Sequence, residues 1–401
     1  MGLILPPAEW RDRPGLAELV AVLEAPEAGP RWVGGAVRDT LLGLTVADLD
    51  LATPLPPAEV VRRLEAAGIR AVPTGIAHGT VTAVTQGSIV EVTTLRRDIS
   101  TDGRHAVVAF TDDWHQDAAR RDFTINALYA DPASGAVTDF FGGHDDLPAG
   151  RVRFIGDPYR RIAEDHLRIL RFFRFFARFG QDVDAPGLDA CAARANDLMA
   201  LSRERIAAEL LKLLVAPRAV AAVALMLDRG VLAPVLPEIA AADHLPFVAR
   251  READAGIAPD PIRRLAALLP REPVVAENVA ARLKLSKAQR QRLILALTDR
   301  GASAREDAYR HGTDAAIDRL LLNGDGVAAL TNWPIPRLPL TGGALVERGL
   351  VKGPTVATAL RRVEAQWIAE DFPSPSRVES IADAVVAEII AQAADASSGR
   401  A

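Results

Sequence analysis

The sequence predicts an α+β head over residues 1–155 followed by an all-helical remainder. Up to about residue 155, short apolar runs alternate with helical patterns, and after Pro158 helical periodicity continues almost without interruption. A further signal lies inside the head. A Gly34-Gly35 turn at a strand end precedes Arg38-Asp39 and then Asp48-Leu49-Asp50, two carboxylates two positions apart on a second strand. Strand side chains alternate with period two, so Asp48 and Asp50 point to one face and Leu49 and Leu51 to the other.

The elements of the head follow in order. Residues 15–23 carry a helical pattern, Arg31 to Val33 forms a short strand into the glycine turn, and residues 37–42 form a helix. Asp48 to Ala52 is a strand, and residues 56–67 form a helix with Pro near its start. Residues 81–84 and 89–95 are β-branched, alternating runs on either side of Gln86-Gly87-Ser88, the pattern of a hairpin. Residues 96–113 are polar without clear periodicity and are expected to form a mobile loop, and a strand over 137–141 closes the head.

In the helical part, Ile162, His166, Ile169, Phe173 and Phe176 recur at spacings of three and four, which predicts one helix with a single apolar face, ended by Gly180. Further helices are expected at 186–199, 203–215, 217–229, 261–269, 274–284, 287–298, 313–322, 354–370 and 376–394. Pro and Gly clusters near 234–237, 256–261 and 334–343 separate groups of them, and no repeat of fixed period is present.

Composition narrows the classes of function. The 49% hydrophobic content is enough for buried cores, and no run of eighteen apolar residues predicts a membrane span. Met1 to Trp10 lacks the pattern of a secretory signal, and Cys191 is the only cysteine, so neither an intramolecular disulfide nor a Cys/His zinc site is expected. A cytoplasmic protein follows. A net charge of −5 does not exclude a nucleic-acid partner, because binding depends on a local patch rather than on the total.

A Gly-Gly turn before a helix lets the backbone approach a phosphate, and the helix N-terminus favours anions. Gly34 and Gly35 are candidates for that contact, with Arg38 reaching the phosphates and Asp39 holding Arg38; the alternative is an ordinary tight turn. Asp48 and Asp50 are candidate ligands for Mg²⁺, which prefers hard oxygen donors. Two carboxylates beside a phosphate-cradling turn are what a two-metal phosphoryl or nucleotidyl transferase needs. Glu91, on the candidate neighbouring strand, is either a third catalytic carboxylate or a surface residue. Asp165 and Arg168 are at i and i+3, so on a helix they would share a face. A carboxylate accepts from the exocyclic amino group of C or A, and a guanidinium donates to the neighbouring ring nitrogen. The alternative is a surface ion-pair ladder with Arg161, Glu164 and Arg171. Asp122 and Asn126 have the spacing to hydrogen-bond a ribose together, with Arg120 or Arg121 on phosphates; alternatively Asp122 or Thr124 caps a helix. Ser202 is expected to cap the helix at 203, with Glu204 to Glu209 bracing a turn by ion pairs.

Residues 31–53 resemble the opening motif of class II tRNA nucleotidyltransferases and bacterial poly(A) polymerases, members of the polymerase-beta-like superfamily. Three further stretches resemble the family in order and spacing. Arg120-Arg121-Asp122-Phe123-Thr124-Ile125-Asn126-Ala127-Leu128 is similar to its sugar-recognition motif. Glu164-Asp165-His166-Leu167-Arg168, with Arg171 and Arg174, is similar to its base-recognition helix, and Glu204-Arg205-Ile206-Ala207-Ala208-Glu209 to its last neck motif. A weaker likeness continues at Pro339-Leu340-Thr341-Gly342 and Gly353-Pro354, ahead of Trp367.

The resemblance implies a nucleotidyltransferase head over 1–155 (a mixed sheet with flanking helices), a helical neck over 156–215, a body over 216–300 and an RNA-binding tail over 301–401. It implies template-independent addition of C, C and A to tRNA from CTP and ATP, with two Mg²⁺ ions on Asp48 and Asp50 and no templating nucleic acid. It also implies that the 96–113 stretch helps the switch from C to A, and that Arg171 and Arg174 support phosphate or base placement. The alternatives are a poly(A) polymerase or an enzyme adding only C or only A. The Ala-rich, acid-containing stretch 379–401 lacks the basic arm of the poly(A) type and favours tRNA. From another class, the chain would be an RNA-binding module on an inactive scaffold. No His-Asp metal-hydrolase pattern occurs in the helical part, His78 and His105 are read as ordinary polar residues, and Cys191 as a buried filler.

Overall fold

A computed structural model describes residues 3–25, 29–101, 106–299, 301 and 303–398. The chain divides into two compact units, one of residues 1–243 with 281–285, the other of 244–280 with 286–401.

The first unit opens with α1 (Leu16–Leu23), β1 (Arg31–Val33), α2 (Gly35–Leu41), β2 (Leu49–Thr53) and α3 (Pro57–Ala66). β3 (Arg70–Gly75), β4 (Thr80–Val84) and β5 (Ile89–Thr94) follow, then β6 (Arg96–Thr101), β7 (Ala106–Phe110), α4 (Trp114–Ala119), β8 (Leu128–Ala130) and β9 (Val137–Asp139). Seven strands form one sheet in the order β3-β4-β5-β2-β1-β8-β9. The sheet is mixed: β2 and β5 run parallel, with Asp50 opposite Glu91, while every other neighbouring pair is antiparallel. The parallel pair needs a crossover, and α3, β3 and β4 supply it. Leu16, Leu19 and Leu23 of α1 and Val60 and Leu64 of α3 are buried, each contributing roughly 1.5–3 kcal/mol on leaving water.

The expected loop at 96–113 is corrected. β6 and β7 pair as a separate antiparallel ribbon, and Asp113 caps α4 by accepting from the His115 and Gln116 amides. A ribbon is held by its backbone ladder, so its polar first strand carries no apolar alternation for the sequence reading to find. His105 lies outside the described residues. β3, which contains Pro73, and the three-residue β8 also went unread.

The helices of this unit continue as α5 (Gly143–Asp146), α6 (Pro158–Glu164), α7 (Arg168–Phe179), α8 (Ala185–Ala193), α9 (Arg203–Leu214) and α10 (Ala219–Asp228). The single helix expected across 162–176 is two helices with a break at 165–167. Asp165 has extended backbone angles. Its carboxylate accepts from the Leu167 amide and its carbonyl from the Arg168 amide. That turn starts a new helix, because a side chain that bonds a nearby amide competes with the helical ladder. The apolar stripe survives the break, and Ile162, Ile169, Phe173 and Phe176 are all buried. Ser202 stands at the N-cap of α9 without a side-chain capping bond.

The second unit is helical: α11 (His244–Asp254), α12 (Pro261–Ala266), α13 (Pro273–Arg282), α14 (Lys287–Ala296), α15 (Ala304–His311), α16 (Thr313–Asn323), α17 (Gly342–Glu347), α18 (Pro354–Ala369) and α19 (Pro375–Ser398). The last residues of α13 group with the first unit. α11, α15 and α17 were not expected from the sequence. Trp367 anchors one core with Leu345, Val363, Val378 and Ile381, and donates its indole N–H to the Pro373 carbonyl at 3.1 Å. No helix among the described residues is long and apolar enough to cross a membrane.

This unit also holds a buried ionic network. Glu252 pairs with Arg263 at 2.7 Å and Arg264 at 2.8 Å, and Arg263 reaches Asp318 at 2.8 Å. Removing one member of such a network leaves an uncompensated charge. Glu252→Ala is expected to cost about 3–5 kcal/mol, read as a lowered urea midpoint; an unchanged midpoint would show that the network adds nothing to stability.

Candidate active site

The site begins at the strand end where β1 turns into α2. Gly34 adopts φ +67°, ψ −119°, a conformation that residues with a Cβ rarely take. A Cβ built there would make only ordinary contacts, 3.5 Å from Arg121 Nη1 and 3.9 Å from the Asp50 carboxylate, so it is the backbone conformation beside that carboxylate that calls for glycine. Asp50 is on β2, and Asp48 directly precedes the strand.

Twelve of the residues singled out from the sequence line one open cleft of about 620 Å³: Gly34, Gly35, Arg38, Asp39, Arg120, Arg121, Asp122, Asn126, Asp165, Arg168, Arg171 and Arg174, together with Asp48 and Asp50. The sequence reading did not assign Arg96, Arg178, Arg205 or Lys212 to the site, yet they line it too. Arg178 had a visible signal, since it continues the 168-171-174 series at the next helical step. Ten basic side chains face five acidic ones here, in a chain whose net charge is −5. The cleft therefore has the local positive field that a triphosphate requires.

A continuous network holds these groups. Arg38 donates to Asp39 at 2.8 Å and to the Asn126 side-chain oxygen, and stands over the Phe179 ring at 4.6 Å. Arg178 closes on Asp39 from α7 at 2.9 Å. Asn126 donates to Asp122 at 2.9 Å, and Asp122 accepts from Arg171 at 2.7 Å. Asp122 and Asn126 thus act together, but through a turn and a short 3-10 helix rather than along an α-helix. Neither Asp122 nor Thr124 caps that helix; Thr124 donates instead to Asp146 at 2.7 Å. Burial alone would raise the Asp122 carboxyl, but Arg171, Asn126 and Arg168 outweigh it and hold the group well below the usual carboxylate range.

Behind the cleft, buried Asp117 accepts from Arg120 at 2.8 Å and from the Tyr129 hydroxyl at 2.7 Å, and pairs with Arg121 at 3.2 Å. Glu209 pairs with Arg174 and stands 4.0 Å from Arg171, while Arg205 pairs with Asp165 at 2.9 Å. The bracing expected of the 204–209 stretch is thus present and reaches into the cleft itself.

Asp165 and Arg168 do not share a face of one helix, yet both line the cleft. Arg168 donates to the Arg161 carbonyl, to Glu164 and to the Arg120 carbonyl at 2.7–3.0 Å, which leaves its Nε–H and one Nη2–H unspent. The expected ladder is therefore part of the arrangement, since Glu164 also takes Arg161.

Glu91 is not in this cleft. It lines a second cavity of about 890 Å³ that shares Asp48 and Asp50 with the first. The Asp50 carboxyl is pushed up to about 6, first by burial and also by Glu91 and Asp48, against the pull of Arg121 and Arg38. This crowding of negative charge is what a divalent cation would relieve. Among the described residues no three His, Cys, Asp or Glu side chains stand close enough to cage a metal. Two carboxylates that leave positions for water and substrate phosphate suit Mg²⁺.

Gly34→Ala is expected to force a strained positive-φ backbone costing about 1–3 kcal/mol and to shift the turn beside Asp50. The measurement is nucleotide affinity together with thermal stability. Wild-type values for both would contradict the role given to this turn.

Known proteins resemble this chain over most of its length. Residues 31–153 match the poly A polymerase head domain, and 185–243 match a probable RNA and SrmB-binding site of polymerase A. The chain is 34% identical to the mitochondrial CCA tRNA nucleotidyltransferase 1 of Homo sapiens over 379 residues, covering 88% of this chain and 86% of that protein. It is 33% identical to the CCA-adding enzyme of Limosilactobacillus fermentum, covering 84% and 88% respectively. The crystal structure of the Bacillus stearothermophilus CCA-adding enzyme in complex with CTP superposes with a TM-score of 0.69 at 27% identity, covering 88% of this chain and 92% of that one. With its glycine turn, paired carboxylates and arginine-lined cleft in one compact unit, this chain belongs to the family of CCA-adding tRNA nucleotidyltransferases and bacterial poly(A) polymerases.

Proposed function

We propose that the chain is a template-independent tRNA nucleotidyltransferase that adds C, C and A to the 3′ end of tRNA from CTP and ATP. The observation that carries this reading is that Asp165 and Arg168 open into the same cleft as Asp48, Asp50 and the arginine cluster. A base reader and a triphosphate site thus share one cavity. Relatives named for CCA addition match over most of the chain and support tRNA over poly(A) as the product.

The roles follow from the placement. The Gly34-Gly35 turn, Arg38 and Arg120 or Arg121 receive the triphosphate, and Asp39 with Arg178 keeps Arg38 aimed. Asp122 and Asn126 meet the ribose, whose 2′-hydroxyl separates ribonucleotides from deoxyribonucleotides. Asp165 accepts from the amino group of C or A, and the free N–H groups of Arg168 donate to the adjacent ring nitrogen. U and G present a carbonyl where C and A present the amino group, so they meet the carboxylate as acceptor against acceptor. Arg171 and Arg174 support phosphate or base placement. In the reaction the RNA 3′-oxygen bonds to the α-phosphorus, the bond from that phosphorus to the α–β bridging oxygen breaks, the hydroxyl proton is released to solvent, and pyrophosphate leaves.

Asp48 and Asp50 would hold two Mg²⁺ ions, with Glu91 alongside. Bound there, the metal would lower the pKa of the attacking hydroxyl and neutralise the leaving pyrophosphate. Within the chain we assign 1–155 as catalytic head, 156–215 as neck, 216–300 as body and 301–401 as tail, the helical part gripping the acceptor arm by shape and phosphate contacts. The β6–β7 ribbon is the element we assign to the switch from C to A. We place the enzyme in the cytoplasm, where its one cysteine, the buried Cys191, stays a thiol.

Given a tRNA transcript lacking its CCA, with Mg²⁺, CTP and ATP, the enzyme is expected to produce 3′ ends that stop at CCA on sequencing. Asp48→Asn and Asp50→Asn should each abolish incorporation while leaving tRNA affinity within about twofold, and removal of Mg²⁺ should do the same. Long A tails would instead make it a poly(A) polymerase, and C-only or A-only ends a single-nucleotide enzyme. Full activity in the two variants would overturn the assignment of the carboxylates.

A further inference from the structure

Two cavities meet at Asp48 and Asp50, and of the residues given roles above the second holds only these two and Glu91. The second is lined by Asp48, Asp50, Glu91, Ile89, Arg13 and the β4–β5 turn. Its floor follows from strand alternation. Val90 and Val92 of β5 are buried beneath the sheet, so Ile89 and Glu91 face outward, in line with Asp50 on β2. Ile89 is 66% exposed, an isolated apolar face beside three carboxylates.

Arg13 is the only cation among the described residues lining this cavity. Its guanidinium makes no hydrogen bond or ion pair with a described residue, in a protein where most arginines of the other cleft are paired. Its backbone is nonetheless firmly placed. A Cβ on Gly87 would come within 2.9 Å of Pro14, and one on Gly15 within 2.9 Å of Thr85, so two glycines let the segment after Arg13 pack closely against the β4–β5 turn. Thr85 accepts from and donates across the same turn at 3.0 Å.

The chemistry says what this cavity must admit. In phosphoryl transfer the attacking and leaving oxygens lie roughly in line through phosphorus. If pyrophosphate departs into the arginine cleft, the attacking 3′-oxygen arrives from the opposite side of Asp48 and Asp50. An RNA end brought there carries a phosphate close to three carboxylates, which repel it, and one unpaired guanidinium stands ready to hold it. Where the attacking 3′ end enters this cavity, we propose that Arg13 binds the phosphodiester on the 5′ side of the terminal nucleotide and that Ile89 packs against its base. This rests on the nucleotidyltransferase reading above. It assigns residues outside all the motifs that carry that reading.

The test pairs a protein change with an RNA change. Affinity for an acceptor-arm minihelix lacking CCA is measured without nucleotide, with either a normal terminal phosphodiester or a neutral methylphosphonate there, for wild type, Arg13→Ala and Arg13→Lys. The methylphosphonate should weaken binding to wild type about tenfold, Arg13→Ala should weaken the normal RNA equally, and the two changes together should cost no more than either alone. Arg13→Lys should recover part of the loss, and KM for CTP should stay within twofold of wild type in all three. If the methylphosphonate penalty is the same with Ala at position 13 as with Arg, or if KM for CTP rises instead, the proposal is wrong. Because binding is read without turnover, a wild-type enzyme that failed to add nucleotides would count against the proposed activity alone.

Discussion

The carboxylate of Asp122 is the joint on which the cleft depends. It is buried and takes three donors from three directions: the Phe123 amide, the Asn126 side chain and Arg171 of α7. Through Asn126 it reaches Arg38 at the glycine turn, and through Arg171 it reaches α7, the helix that follows the 165–167 turn. The residues flanking the sheet and α7 are therefore coupled by charge as well as by the Phe123, Phe154, Phe172 and Phe175 cluster. Such a joint has a clear physical use. A buried carboxylate held from three sides cannot shift without breaking one of these bonds, so the elements it joins keep one spacing across the cleft.

Several arginines of the cleft are anchored by partners of their own. Arg120, Arg121 and Arg168 are tied to Asp117, Glu164 or backbone carbonyls while lining the cleft, which fixes their planes. A guanidinium suits this because its five donors lie in one plane, so some can anchor it while others bind. The chain is acidic overall yet basic at the cleft because ten basic side chains gather there against five acidic ones.

Much of this was legible in the sequence because the chemistry is local. The Gly34-Gly35 turn, the Asp48-Leu49-Asp50 alternation and the Asp122/Asn126 spacing each sit within a few residues, and a strand or turn is enough to converge them. What was not legible depended on longer-range partners. Nothing near residue 205 shows that its guanidinium will meet Asp165, since forty residues separate them. The break at 165–167 was hidden because the apolar spacing carries on across it, so periodicity alone read one helix where side-chain bonding made two. The 96–113 stretch gave no strand signal because its first strand is polar and backbone pairing does not need apolar alternation. Arg13 was overlooked for the same reason as Arg205: its significance lies in the cavity it faces, and its neighbours in sequence carry no motif.

The central claim is that protein side chains, Asp165 above all, choose C and A without a template. The most direct measurement is the competition among CTP, ATP, UTP and GTP, as kcat/KM on tRNA lacking its CCA, in wild type and in Asp165→Asn. An asparagine amide can rotate to offer a donor to a carbonyl, so the account predicts that discrimination against UTP and GTP falls at least tenfold while incorporation continues. Unchanged selectivity in that variant would contradict the account and move base selection to other residues.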